Sequence, residues 1–161
     1  MGPILVATDG SPAARAALEA AVSLAAGTGD AIVAITVWRA LQGDYGLAYP
    51  SVARLDDLLA TEREHAEAAL GEAVVRARSA GIPIRTRLAT GDPAEEICSY
   101  AREVDARLIA VGSRGYGSVA ALLLGSVSNA IIRQATCPVL VVREPDRALE
   151  QSRHVHAVAG R

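Results

Sequence analysis

The stretch "VGSRGYGSVAALLLGSVSNAIIRQATCPVLVV" (residues 111–142) sets Gly112, Gly115 and Gly125 among small and aliphatic residues, with Ser126 and Ser128 directly behind the last glycine. Glycine admits a backbone with positive φ and lets a ligand approach where a Cβ would collide. If a helix begins at Ser126, its first N–H groups lack partners within the helix, and the helix dipole favours an anion beside them. Ser126 and Ser128 add hydroxyl donors at the same place. The chemistry this spacing suits is the holding of a phosphate. The competing reading is a pair of turn glycines and an ordinary serine N-cap.

Other residues extend or limit that chemistry. All 16 basic residues are arginine, so mechanisms that need a lysine, from a P-loop to a Schiff base, are excluded. Arg114, inside the glycine loop, suits either a phosphate or solvent. Asp9 fits a ribose hydroxyl, a phosphate-bound divalent ion, or a plain turn at the start of a helix. Tyr45 and Tyr49 lie where they would cover a base or simply pack in a loop. His154 and His156 on a polar tail make a poor metal site, His65 among Glu62, Glu64 and Glu67 reads as a solvated helix face, and no metal-ligand set is assigned. Cys98 and Cys137, without CxxC spacing, read as small packing residues.

The chain has a net charge of -2 from interspersed signs, one Trp and four Tyr. It therefore lacks both the basic stripe and the stacking platform expected of a nucleic-acid binder. No apolar run approaches the roughly 18 residues of a membrane span, and "MGPILVATDG" carries no signal-peptide pattern. The expectation is a cytoplasmic protein with no membrane partner.

The elements that must position these residues alternate. "PILVATD" (3–9) and "AIVAITVW" (31–38) read as buried strands, separated by a helix with Ser11 as N-cap, Pro12 at its first position and Gly27 or Gly29 at its end. Residues 39–54 show neither period and are expected to form a long loop. Residues 55–80 place Leu55, Leu58, Leu59, Ala66, Leu70, Val74 and Ala77 near one helical face, ending at Gly81. "IPIRTRLA" (82–89) alternates as a strand near the sheet edge would, and Asp92 and Pro93 then open a helix. A fourth strand (106–112), a helix (126–135) and a fifth strand (138–142) complete the pattern. Such alternation implies a parallel sheet covered on both faces, with ligands beyond the carboxyl ends of the strands where the order reverses. No internal repeat or domain break is found. One domain over 1–143 and a polar tail over 144–161 are expected.

The spacing G-x2-G-x9-G-S, through Gly112, Gly115, Gly125 and Ser126, resembles that of the ATP-binding branch of the universal stress protein family. "ILVATDGSP" is similar to the family's first strand and turn, and "GDPAEEICSYAREVDARLIAVGSRG" to its third helix and fourth strand. The resemblance implies a Rossmann-like α/β fold, an open parallel five-stranded sheet of order 3-2-1-4-5 with helices on both faces. It further implies ATP, with Mg²⁺ or Mn²⁺. Ala7, Thr8 and Asp9 would lie beside base and ribose, Val37 against the adenine, and Gly112, Gly115, Gly125, Ser126, Val127 and Ser128 around the phosphates, with Arg114 as a further candidate. Where the family often has Pro, this chain has Ala7. A homodimer through residues 138–142 is also implied, and the apolar edge of "PVLVV" supports it independently.

Three functions follow as expectations. The first is a nucleotide-binding regulatory protein acting through conformation or partners. The second is a slow ATPase or nucleotidyl-transfer enzyme using Asp9, a divalent ion and Arg114, without an assigned catalytic residue. The third is a nucleotide-free dimeric module.

Overall fold

The computed structural model describes residues 2–38, 52–114 and 124–144, with side chains from residue 59 onward in the second segment. Strands and helices alternate: β1 (Ile4–Ala7), α1 (Pro12–Thr28), β2 (Ile32–Trp38), α2 (Val52–Ser79), β3 (Ile84–Thr90), α3 (Pro93–Glu103), β4 (Leu108–Gly112), α4 (Ser126–Gln134) and β5 (Val139–Val142). The five strands form one sheet in the order β3-β2-β1-β4-β5. All neighbours are parallel, with Ala7 level with Ile35 on one side and Val111 on the other. The expected fold class and strand order are both present. Residues 52–54, expected in a loop, instead open α2. Tyr45, Tyr49, His154, His156 and the segment 145–161 lie outside the described residues.

Local chemistry accounts for the element ends. Ser11 Oγ accepts the Ala14 amide, Pro12 follows it, and Gly29 closes α1 in the left-handed region at φ 75°. Asp92 accepts the amides of Ala94 and Glu95, with Glu95 and Glu96 in the favourable first turn of α3.

Two apolar layers sandwich the sheet. On one side Ile4, Val6, Ile32 and Ala34 meet α1 and α2 through Leu18, Ala21, Val22, Leu70 and Ala73. On the other, Leu5, Val33, Ile35 and Ile109 meet α3 and α4 through Ile97, Cys98, Ala101 and Ile131. The helices on the first side present alanine stripes: Ala17, Ala21 and Ala25 on α1, and Ala66, Ala69, Ala73 and Ala77 on α2 are buried. Side chains this small let a helix axis settle close to the strands. The two edges of the sheet differ. β3 exposes Arg85, Thr86 and Arg87, the last with its guanidinium 5.3 Å from the Tyr100 ring, whereas β5 is apolar and half-buried along its length.

Burial pushes the Cys98 thiol up from its ordinary range, against the opposing pull of the Arg102 charge. The fold therefore favours the neutral thiol. The unfolded chain ionises it near pH ~8.5, so this contribution is complete below that value and is lost as pH rises through the higher folded pKa. Urea titrations across roughly pH 8 to 10 are expected to show the wild type losing stability more steeply than Cys98→Ala. Equal slopes would count against it.

Candidate functional site

At the carboxyl ends of β1, β2 and β4 the backbone ladders stop and a network of small polar groups takes over. Thr8 continues β1 by donating its amide to Ile35 O at 2.9 Å. Its own carbonyl accepts Thr36 Oγ1 at 2.7 Å, and its hydroxyl oxygen accepts the Gly10 amide at 3.2 Å. Asp9 Oδ1 accepts the Ser11 amide at 2.9 Å, leaving the other carboxylate oxygen without a partner among the described residues. Asp9 is thus both a turn aspartate and an exposed carboxylate on the cleft.

Across the reversal point, Gly112 ends β4 against the first turn of α1. A Cβ there would sit 2.7 Å from both the Ala13 carbonyl carbon and the Ala14 nitrogen. Ser113 then donates its amide to Val142 O at 2.7 Å, and its carbonyl accepts the Gly125 amide at 2.8 Å. Ser11 Oγ reaches Arg114 O at 3.4 Å. The loop leaving β4 is thereby tied to the caps of both α1 and α4.

Gly125 is the N-cap of α4, with φ -62° and ψ 159° and no side-chain cap bond. The positive φ considered for it is absent. A Cβ there would meet nothing closer than 3.4 Å, so neither strain nor packing demands glycine. Without a side chain at this N-cap, the first-turn amides of α4 have no side-chain cap. Ser128, expected as a free hydroxyl donor, is corrected by the geometry: it is 2% exposed, and its Oγ donates toward Ser113 O at 3.2 Å and Gly125 O at 3.0 Å. Its proton fastens the loop to α4. The backbone amides of the first turn and the Ser126 hydroxyl remain the donor set there.

These groups line one cleft of about 1030 Å³. It brings together Ala7, Thr8, Asp9, Val37, Gly112, Arg114, Gly125, Ser126, Val127 and Ser128. Gly115 lies outside the described residues. Val37 shares the cleft with Ile35, Ile97, Pro93 and Val111, which give the β1–β2 side an apolar wall. Arg15, Glu62, His65 and Glu72 also line it. His65, read as part of a solvated helix face, is exposed and also stands on the cleft wall. The signal for this wall was the spacing 62, 65, 69, 72 along α2, one helical face that the alanine stripe overshadowed.

A parallel sheet whose strand order reverses between β1 and β4, with a cleft at that point, defines a doubly wound α/β domain, a fold class in which ligands sit at the topological switch. The profile of the universal stress protein family matches residues 1–143, and the chain belongs to that family. Universal stress protein YxiE of Bacillus subtilis is 35% identical over 144 residues, spanning 87% of this chain and 97% of the relative. A universal stress protein solved in complex with cAMP is 30% identical with a TM-score of 0.67, covering 89% of this chain and 97% of its own. The universal stress protein from Archaeoglobus fulgidus in complex with dAMP is 27% identical with a TM-score of 0.64, covering 88% and 98%.

The two glycines are expected to behave differently on substitution in nucleotide-free protein. Gly112→Ala drives a methyl into the α1 backbone and should lose about 1–3 kcal/mol of unfolding free energy. Gly125→Ala should stay within about 1 kcal/mol of wild type. Denaturant midpoints measure both, and equal losses would contradict these separate roles.

Proposed function

We propose that this protein is an ATP-binding regulatory protein of stress responses, holding the nucleotide in the cleft between β1 and β4 and acting through conformation or partners. The observation that carries this reading is the open first turn of α4 facing the same cleft as Asp9 and the apolar wall around Val37. Adenine would rest on Val37 and Ala7, the ribose beside Thr8 and Asp9, and the phosphates against Gly112, Arg114, Gly115, Gly125 and the amides of Ser126, Val127 and Ser128. The adenine nucleotides named for the two solved relatives support the ligand class. Preference for the triphosphate rests on the length of the donor array.

A divalent ion fits this arrangement. Mg²⁺ takes oxygen ligands and is held by one or two carboxylates together with substrate phosphates, and Asp9 supplies such a carboxylate on the cleft. When bound, the ion offsets phosphate charge. The chain's own groups hold and orient the ligand: amides, hydroxyls and a carboxylate already engaged with Ser11 suit binding more than the activation of water. The reading places the protein in the cytoplasm, where ATP is abundant, and no helix among the described residues is long and apolar enough to cross a membrane. No role for nucleic acid is proposed.

Calorimetric titration of nucleotide-stripped protein with ATP and Mg²⁺ tests the assignment. Micromolar binding that Gly125→Val abolishes is expected, with no sustained phosphate release in the same sample. Absence of binding by folded wild type would remove the reading, and steady turnover would move it to the slow-ATPase alternative.

We further propose that β5 pairs with a second copy, because its apolar edge lacks the arginines that protect β3. Sedimentation at micromolar concentration should give twice the 16.6 kDa chain mass. A monomer mass would refute it.

A further inference from the structure

β3 is the outer strand on one side of the sheet. Ile32 donates its amide to Pro83 O at 2.9 Å, and the parallel register then turns the backbone groups of Arg85 and Arg87 toward β2. Those of Thr86 and Leu88 point away from the sheet, where no further strand lies among the described residues. Such a row of N–H and C=O groups can accept one more strand.

The side chains select which strand. Arg85 is level with Val33 and Arg87 with Ile35, so both arginines rise from the face that α3 covers, two residues apart and exposed. Neither has a carboxylate within ion-pair distance among the described residues. The Arg87 guanidinium lies over the Tyr100 ring of α3, 5.3 Å from its centroid. Repulsion alone does not require a fixed guanidinium, whereas one face held on a ring leaves the edge N–H groups placed to grip a carboxylate. On the opposite face Thr86 is exposed, between the half-buried Ile84 and Leu88. None of these residues lines the cleft.

We propose that the β3 edge is a docking site for an extended acidic segment of a partner protein, with carboxylates at alternate residues and a small residue between them. Added beside β3, such a strand bonds its backbone to Thr86 and Leu88, sets successive carboxylates beside Arg85 and Arg87, and places the intervening residue next to Thr86. Two residues of a strand span roughly 6.6 Å. That spacing separates the two arginines along β3, so alternate acids fit and adjacent ones do not. The same charges turn away a second β3. The edge is thus closed to its own kind and open to its complement, whether or not a nucleotide is bound.

The test is fluorescence anisotropy of the full chain with a labelled, capped peptide alternating Glu with Thr, beside one alternating Lys with Thr. The Glu peptide should bind wild type and the Lys peptide should not. Arg85→Glu combined with Arg87→Glu should weaken the Glu peptide about tenfold or more and admit the Lys peptide, a reversal that loss of folding could not produce. Methylating the Glu peptide's amides at one alternate set of residues should abolish binding, and at the other set should spare it, since only one set faces β3. No binding to folded wild type, no charge reversal, or equal effects of the two methylated sets overturns the proposal. A single-stranded oligonucleotide that displaces the peptide through the same arginines would assign the stripe to polyanions. Sedimentation of wild-type species larger than a dimer, lost in the double variant, would assign it to another copy. Either result overturns the proposal as well.

Discussion

The close approach of β4 to α1 is the constraint on which the rest of the molecule depends. With the Gly112 Cα lying against the backbone of Ala13 and Ala14, there is no space between strand end and helix for even a methyl group. Alanines at positions 17, 21 and 25, all fully buried, carry the same closeness along the helix. As a result Ser11, which caps α1, also reaches the carbonyl of Arg114. The loops after β1 and β4 are thus held by each other, and the reversal of strand order becomes a walled cleft instead of a splayed gap.

Much of this was legible along the chain because it is local. Continuous apolar runs mark β1, β2 and β4, and Ser11-Pro12 and Asp92-Pro93 mark two helix starts by cap chemistry alone. The glycine spacing located the start of α4 to the residue. The illegible parts depend on distant partners. Nothing near Ser128 signals that its hydroxyl is committed to Ser113, fifteen positions away. Nothing near Gly125 signals that its φ is the ordinary negative one of an N-cap residue. Arg15 and Glu72, separated by 57 positions, become neighbours on the cleft only when α1 and α2 lie side by side. Residues 52–54 looked irregular because they follow a stretch broken by Gly43, Gly46 and Pro50, and the helical period becomes readable only from Leu55.

The two ends of the sheet treat their polar groups in opposite ways. At the amino end, buried Asp30 accepts the Thr28 hydroxyl and faces Arg107, with Nε 2.7 Å from Oδ2 although the N–H does not point along that line. The Pro3 carbonyl takes the Arg107 amide at 3.1 Å. Those groups close upon one another and tie the entry of β4 to the exit of α1. At the carboxyl end, Thr8, Thr36, Ser113 and Ser128 are buried, with the hydroxyls of Thr8, Thr36 and Ser128 and the backbone of Ser113 bonded internally, while Asp9 and the first turn of α4 line the cleft. Internal satisfaction of the inner ring fixes the shape of the outer one.

The contrast between the sheet's edges bears on how far it can extend. A strand arriving at β3 from another copy would have to pass Arg85 and Arg87, and pairing β3 with β3 would bring arginines face to face. The apolar edge at β5 presents no such barrier. Growth is therefore permitted from one side only, so any sheet continued through β5 is sealed at both outer margins by the same charged strand. Pairing through β5, as proposed above, would close on itself as a pair, with no second apolar edge left to recruit a third copy.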